Sequence, residues 1–197
     1  MTIYLWEIPE TYPDNQIGRY ERERSPDRFL FEKGVFLNKE QVSTKPILKY
    51  GLSKDQLINY DCLINSATLP VVNNRVVDIL TEIAGDDIQL FDVTIECKDG
   101  ELTGYKLVNI THTIKAIDLE QSIYSIRQLP RGNTMIANIK RLVFRANCMD
   151  QHQLIRDEET GHQLASQAIY EAFKREKITG VWLATPDEFY DLVHGRV

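Results

Sequence analysis

Two runs of alternating apolar and polar residues, separated by Asp99 and Gly100, most restrict the fold of this chain. The first run is FDVTIEC at residues 91–97, and the second is YKLVNITHTIKAID at residues 105–118. Successive side chains on a strand point to opposite faces, so such alternation is typical of half-buried strands. Asp-Gly between two alternating runs is a strong signal for a β-hairpin. The sequence therefore predicts an antiparallel sheet with this hairpin at its centre.

Two amphipathic helices are predicted beside the hairpin, at about residues 73–84 and 166–177. In both segments the apolar residues recur at helical spacing and form one stripe. The residues expected to cap or end these helices are Asn73 or Asn74, Gly85 in a left-handed conformation, and Ser166. Helices lying on the apolar face of an antiparallel sheet give an α+β fold class.

The chain of 197 residues is long enough for one large domain or two small ones. Residues 1–58 are predicted to form an N-terminal subdomain or an extension of the sheet, and residues 59–197 the main α+β domain. A last helix is predicted to follow Thr185, because Pro186 suits the first helical position and Glu188 completes a capping box.

The cysteines and the N-terminus predict a cytoplasmic protein. Cys62, Cys97 and Cys148 are odd in number and widely spaced, which argues against a disulfide framework or a zinc motif. The N-terminal MTIYLWEIPE has no basic start, so it is not a typical signal peptide. No run reaches the roughly 18 apolar residues that span a bilayer. The expected compartment is reducing, and no membrane partner is expected.

Charge is distributed unevenly along the chain, whose net charge is −6. Residues 78–101 carry eight acids against Lys98 alone, whereas residues 102–149 are net basic. Nucleic-acid binders usually present a dominant basic field, so a nucleic-acid partner is not expected. The acidic block could attract a basic protein. A solvated face balanced by the basic segment beside it stays the alternative.

No catalytic motif is evident in the sequence, which has neither a glycine-rich phosphate loop nor the common serine-hydrolase and zinc-protease motifs. His152 and His162 flank the acids of residues 157–159 and could bind a metal if the chain folded them together. Cys148 lies four residues before His152, as in a Cys-His nucleophile. A polar loop leading into the helix near Ser166 explains both patterns better, so no catalytic residue, metal or cofactor is predicted.

His112 lies in the middle of the second alternating run, facing the same way as Val108 and Ile110. A helix is expected to cover this face, whereas a general base must reach its substrate. Asp118 is six residues along the strand, roughly 20 Å away, and cannot pair with it there. The sequence therefore predicts a structural histidine whose ring nitrogens are hydrogen-bonded.

Three stretches occur in the order typical of a known family. They are LPVVNNRVVDILTEIAGDDIQLFDVTI, then GYKLVNITHTIKAIDLEQS, then IKRLVFRANCMDQHQLIRDEETGHQLASQAIYEAFKREKITGVWL. Together they cover about residues 60–184 and resemble the myxobacterial-type immunity proteins of bacterial polymorphic-toxin systems. The shared motifs are an apolar helix before DDIQLFDV, a Y-x-L-V-N strand leading to AIDLEQS, and a closing helix into ITGVWL.

The resemblance implies a non-enzymatic protein that binds and neutralises a cognate toxin, and the acidic block suits a basic, nuclease-type toxin. The predicted toxin-binding residues are Asp86, Asp87, Asp92, Glu96, Asp99 and Glu101. One alternative is a metal-assisted hydrolase that uses His152 and His162. Another is an oligomeric or regulatory interaction domain, for which a homo-oligomer stays open. Its exposed aromatic anchors would be Tyr4, Trp6, Tyr12 and Tyr20, although such residues more often pack in the interior.

Overall fold

The computed structural model describes residues 2–128 and 134–189. Within these ranges the fold is α+β, as the sequence predicts. The strands are β1 (Ile3–Glu7), β2 (Arg19–Tyr20), β3 (Ile47–Lys49), β4 (Cys62–Leu63), β5 (Val71–Asn73), β6 (Ile88–Asp92), β7 (Thr94–Cys97), β8 (Gly100–Leu102), β9 (Tyr105–Ile110), β10 (Thr113–Ile114), β11 (Ile123–Gln128), β12 (Thr134–Arg141), β13 (Leu154–Asp157), β14 (Gln163–Ser166) and β15 (Trp182–Ala184). The α-helices are α1 (Lys54–Leu57), α2 (Asn74–Ala84) and α3 (Gln167–Glu176). No helix in the two described ranges is long and apolar enough to cross a membrane.

The strands of the described ranges form four sheets. A five-stranded sheet has the order β10-β13-β14-β1-β15, two four-stranded sheets have the orders β2-β3-β7-β8 and β4-β5-β9-β6, and β11 pairs with β12. The pairs β3–β7 and β10–β13 are parallel, and the other pairs are antiparallel. The sheets are therefore mainly antiparallel, which agrees with the predicted fold class.

The N-terminal residues contribute strands to two of these sheets. β1 pairs with β14 on one side and with β15 on the other. β2 pairs with β3, which in turn pairs with β7. Phe31 and Leu48 belong to the same buried cluster as Leu107 of β9. The domain boundary after residue 58 stays a prediction.

The hairpin predicted around Asp99 and Gly100 is present, but it is divided between the two four-stranded sheets. β7 and β8 form its tip, where Cys97 pairs with Gly100. Gly100 has a φ of +119°, a conformation that costs glycine little because it has no side chain. Toward the base of the hairpin, β6 pairs with β9 in the neighbouring sheet. The hairpin therefore connects the two sheets.

The second arm of this hairpin ends earlier than the alternating pattern predicts. β9 ends at Ile110, and the next strand, β10, pairs parallel with β13 of the five-stranded sheet. His112 lies in the connection between these strands, so the prediction that it sits on the covered face of a continuous strand was wrong. The alternation continues because Ile114 of β10 is partly buried against a hydrophobic cluster, and periodicity does not report which partner a strand has.

The predicted N-caps of α2 and α3 are confirmed. The side-chain oxygen of Asn73 accepts a hydrogen bond from the backbone N–H of Val76 at the start of α2. Ser166 Oγ accepts one from Ile169 N–H at the start of α3. Each bond satisfies one of the donors that a helix leaves free at its first turn. α2 and α3 thus begin where local sequence signals place them.

The helix ends differ from the prediction at Gly85. Gly85 has φ −56° and ψ −34°, which is right-handed, so the expected left-handed C-cap was wrong there. A 3-10 helix, Gly85–Asp87, follows α2 instead and carries the chain into β6. The left-handed residue that ends a helix is Lys177, with a φ of +52° after α3.

The predicted last helix begins at residue 186, and residues 186–189 are helical. Thr185 N–H donates to a carboxylate oxygen of Glu188 at 2.8 Å, and Glu188 N–H donates to Thr185 Oγ1 at 3.3 Å. These two bonds form the expected capping box. The rest of the predicted helix and His194 lie outside the described residues.

α2 and α3 pack into one buried cluster together with residues of two sheets. Leu80 of α2 and Ile169 of α3 lie in this cluster with Val108 of β9 and Leu154 of β13. All four side chains are at most 1% exposed. This core holds the end of α2 against the start of β13. Asp87 and His152 meet at this junction.

Candidate functional site

The eight acids between residues 78 and 101 fall into two groups. Four have carboxylates that bind other groups of this chain, and we call them the paired acids: Asp87, Asp92, Glu96 and Asp99. The other four have carboxylates without a hydrogen-bond or ion-pair partner in the part of the chain that the structure describes, and we call them the free acids: Asp78, Glu82, Asp86 and Glu101. The toxin-binding residues predicted from sequence include all the paired acids and two of the free acids.

Two of the paired acids form ion pairs on the hairpin. Asp92 contacts Lys106 across the β6–β9 pair, and Lys45 lies 3.6 Å away. Glu96 accepts a hydrogen bond from the guanidinium of Arg24 at 2.8 Å. Hydrogen bonding to Lys106 lowers the pKa of Asp92, and hydrogen bonding to Arg24 lowers that of Glu96. Their charges are therefore partly neutralised within the chain.

The tip of the hairpin carries one acid of each group. Asp99 accepts a hydrogen bond from the backbone N–H of Lys54 at 2.9 Å, which ties the tip to the first turn of α1. Glu101 lies directly opposite Glu96 on the β7–β8 pair. Like charges in this position repel each other, and the bond between Arg24 and Glu96 reduces that repulsion. Glu101 keeps its charge exposed to solvent.

Asp87 is the buried member of the paired acids, with only 3% of the residue exposed. Its Oδ2 accepts hydrogen bonds from the backbone N–H groups of Gln153 and Leu154, at 2.6 and 3.1 Å. Its Oδ1 lies 2.7 Å from His152 Nδ1. A carboxylate held in this way costs little to bury, because each oxygen has partners. Asp87 therefore joins the end of α2 to the start of β13.

His112 and His152 meet at Asp87. Their ring centroids are 4.2 Å apart. His112 Nδ1 lies 3.4 Å from Asp87 Oδ1 and 3.1 Å from Thr111 Oγ1. The His112 side chain is 39% exposed and that of His152 is 22% exposed, so solvent reaches this cluster. One ligand atom from each of the three residues lies within 4.8 Å of the other two.

His162 is not part of this cluster, so the structure does not assemble the metal site from His152 and His162 that the hydrolase alternative requires. His162 Nδ1 lies 3.1 Å from Glu7 Oε1, and its ring packs edge-on against Phe189. Sequence reasoning missed the contact of His152 with Asp87, 65 residues away, because no local pattern connects them. His152 and His162 are close in sequence, but they have different partners in the fold.

The structure does not favour a catalytic cysteine. The three cysteines are free thiols, as predicted. Burial raises the pKa of Cys148, and burial raises that of Cys62 further. A catalytic cysteine needs a lowered pKa so that it is a thiolate at neutral pH. The proposed pair of Cys148 with His152 therefore lacks the electrostatics of a nucleophile.

The free acids on and after α2 form an unopposed negative surface. Asp78 and Glu82 lie four residues apart on the exposed side of α2, and Asp86 is exposed in the 3-10 helix that follows. Like charges at this spacing destabilise a helix by about 0.2–0.5 kcal/mol. Acids near a helix C-terminus also oppose its macrodipole. These charges are therefore expected to cost stability, and none of the three carboxylates has an ion-pair partner among the described residues.

The four aromatic residues that an interaction domain would use as anchors are mainly packing residues. Tyr4 is buried and stacks on Tyr170 with a centroid distance of 4.0 Å. Trp6 packs edge-on against Phe173. Tyr12 and Tyr20 are buried as well, and burial raises the pKa of each to about 12. The exposure that the interaction-domain alternative requires is therefore contradicted for the three tyrosines.

A cleft of about 290 Å³ lies between β1, β5 and β14. Its lining includes Arg156, which is 6% exposed and donates to the carbonyl of Gly161 at 2.8 Å. The Nε atom of Arg156 and the Oε1 atom of Gln163 have no hydrogen-bond partner within the described residues. Desolvation by burial lowers the pKa of Arg156. The lining of this cleft therefore combines the buried guanidinium of Arg156 with the hydrogen-bonded pair of His162 and Glu7.

Comparisons with known proteins point to one family. A comparison with curated proteins finds no match to the chain. A comparison with family models finds one described as "Immunity protein family (Imm11)", which matches residues 4–187. The matched range includes α2, the hairpin and the cluster of Asp87, His112 and His152.

Proposed function

The chain belongs to the Imm11 immunity protein family, and on this premise we propose that it neutralises a cognate bacterial toxin by binding it in the cytoplasm. The observation that carries this proposal is the family match, which covers residues 4–187. Binding would protect the producing cell and its kin. It requires a stable complementary surface and no bond-making chemistry in this chain.

The proposed toxin contacts are the free acids, above all those of α2. The six residues predicted from sequence stay untested, and the structure supports ranking them. Asp86 and Glu101 have unengaged carboxylates, whereas Asp87 is buried. Asp78 and Glu82 join the proposed surface because they are exposed beside Asp86. A carboxylate without an internal partner keeps its full field for an incoming protein.

A basic toxin, such as a nuclease domain, fits this surface best. Complementary charges raise the rate of association and fix the orientation of the partners. Carboxylates placed opposite the cationic groups that hold a nuclease's substrate would also compete with that substrate. Exposed pairs at the rim contribute mainly to the association rate, and desolvated pairs contribute to the lifetime of the complex.

The test begins with the protein encoded beside this chain. We expect a toxin domain from that neighbour to stop growth when it is expressed alone in a bacterial host. Co-expression of this chain should restore growth, and the two proteins should co-elute as a complex of defined mass. The mass of the chain alone, measured in the same experiment, reports whether it is a homo-oligomer.

A matched pair of variants tests the surface separately from the function. In the first, Asp78, Glu82 and Asp86 are changed to lysine. In the second, the control, Asp14, Glu23 and Glu40 are changed to lysine, which gives the same change in net charge on exposed N-terminal residues. Equal loss of binding in both variants would show that only the net charge matters. Unchanged binding in the first variant would show that the α2 surface is not part of the interface. Absence of any complex with the unaltered chain would contradict the proposed function itself.

A further inference from the structure

We propose that Asp87, His112 and His152 bind a divalent transition-metal ion, with Zn²⁺ as the best match. Two imidazoles and one carboxylate are ligands that zinc prefers in proteins. The site is built by three separate parts of the chain: the 3-10 helix after α2, the connection after β9 and the residues before β13. The proposal does not depend on the toxin-binding surface.

The distances around Asp87 Oδ1 fit a shared ion. Ligand atoms about 2.0–2.1 Å from a tetrahedral zinc ion are about 3.3 Å from each other. His112 Nδ1 lies 3.4 Å from Asp87 Oδ1, which is this separation. His152 Nδ1 lies closer, at 2.7 Å, where it makes a hydrogen bond with the same oxygen. Metal binding needs the His152 ring to move away from Asp87 Oδ1 by a fraction of an ångström.

The second oxygen of Asp87 is held independently of the histidines. The backbone N–H groups of Gln153 and Leu154 both donate to Oδ2, so the carboxylate has a fixed orientation and presents Oδ1 to the two rings. Outer hydrogen bonds of this kind orient metal ligands and strengthen binding. The backbone of His112 is also fixed, because its carbonyl accepts the N–H of Arg156 at 2.9 Å.

Exposure gives the ion an entry path and a free coordination position. The side chains of His112 and His152 are 39% and 22% exposed, whereas that of Asp87 is 5% exposed. Three protein ligands leave the fourth position of a tetrahedral ion to water or to an atom of another molecule. Bound metal would also crosslink α2, β9 and β13, so it should stabilise the folded chain.

The test measures the binding of Zn²⁺ alone and of Co²⁺ alone to the purified full chain. We expect one Zn²⁺ per chain by calorimetry and a higher midpoint of thermal unfolding. Bound Co²⁺ should give the visible absorption of a four- or five-coordinate ion.

Single variants decide whether these residues are the ligands. His112→Ala should reduce the affinity roughly tenfold or more and change the Co²⁺ spectrum. His162→Ala is the matched control, because that histidine pairs with Glu7 and lies outside the cluster. His152→Ala should act as His112→Ala does. If His152→Ala unfolds the chain because the bond to Asp87 is lost, His112→Ala alone tests whether these residues are the ligands.

Two results would overturn the proposal. One is the absence of stoichiometric Zn²⁺ or Co²⁺ binding by the unaltered chain. The other is binding that His112→Ala and His162→Ala weaken equally. Toxin binding that persists after chelation would leave the immunity function intact whatever the outcome for the metal.

Discussion

Asp86 and Asp87 are neighbours in sequence, but Asp86 is exposed and unengaged whereas Asp87 is buried and receives hydrogen bonds from the start of β13. The same contrast separates the free acids from the paired acids along the whole acidic segment. The paired acids join parts of the fold, and their charges are offset nearby. The free acids have no such use within the described chain.

This difference shows that a run of like charge does not by itself define a binding surface. A carboxylate that already bonds to a lysine, an arginine or backbone N–H groups contributes less field to an approaching partner. Such a residue would also have to give up its internal bonds in order to form new ones. A partner surface is therefore better sought among charges that destabilise the isolated chain.

The largest expected effect is on stability, at Asp87. Asp87→Ala should lower the free energy of unfolding by about 3 kcal/mol, because it leaves the buried N–H groups of Gln153 and Leu154 without an acceptor. Asp86→Ala should change it by no more than about 0.5 kcal/mol. Urea denaturation of both variants measures this difference. Equal losses would show that the two acids do not belong to different groups.

The next effect concerns association with the toxin. Reversing the charges of Asp78, Glu82 and Asp86 should slow association with a basic toxin by about tenfold at low salt, because the attractive field is lost. The salt dependence of the rate should become flatter. Stopped-flow measurements over a range of ionic strength test this. Reversing the charges of Asp92 and Glu96 should slow association less. A larger effect at Asp92 and Glu96 would contradict the distinction between the paired acids and the free acids.

Lowering the pH should weaken the ion pairs that Asp92 and Glu96 form on the hairpin. The pKa values of Asp92 and Glu96 are lowered in the folded chain, so their pairs stabilise it above the ordinary carboxyl pKa of about 4. This stability is lost as the pH falls through the lowered pKa values. Asp92→Asn should make the chain less stable at neutral pH by at most about 0.5 kcal/mol, since the pair is exposed. It should also flatten the decline in acid, which unfolding curves between about pH 6 and pH 2 measure.

The smallest effect is a gain in stability at a free acid. Glu82→Lys should raise the free energy of unfolding by about 0.3–0.5 kcal/mol, because it removes a repulsion with Asp78 and favours the helix dipole. Thr81→Lys, at another exposed position of α2, is a control for the added charge. Loss of stability in Glu82→Lys would show that Glu82 has an internal role and does not belong among the free acids.

Sequence patterns predicted the parts of the fold that depend on neighbouring residues. Asn73 and Ser166 cap their helices because each side chain reaches an N–H group three residues ahead. The turn at Asp99 and Gly100 is equally local. The free thiols and the α+β class also followed from composition and periodicity. The family resemblance seen in about residues 60–184 is confirmed by the match over residues 4–187.

The candidate sites could not be predicted in the same way, because they depend on contacts between distant segments. His112 leaves its sheet because the following residues pair with β13, and alternation does not reveal that change of partner. Asp87 meets His152 only because α2 and β13 share a core. Nothing in the sequence distinguished Asp86 from Asp87, since their difference arises from the direction in which the chain turns after α2.

The place of β1 inside the five-stranded sheet, between β14 and the edge strand β15, has a consequence for biosynthesis. Its partners, β14 and β15, follow it by about 160 residues or more, so they leave the ribosome roughly 10–30 s later at ordinary elongation rates. Until then the first strand has no neighbours and the sheet is incomplete. If the chain neutralises a toxin as proposed, a nascent copy gives no protection during this delay, and the cell depends on copies translated beforehand.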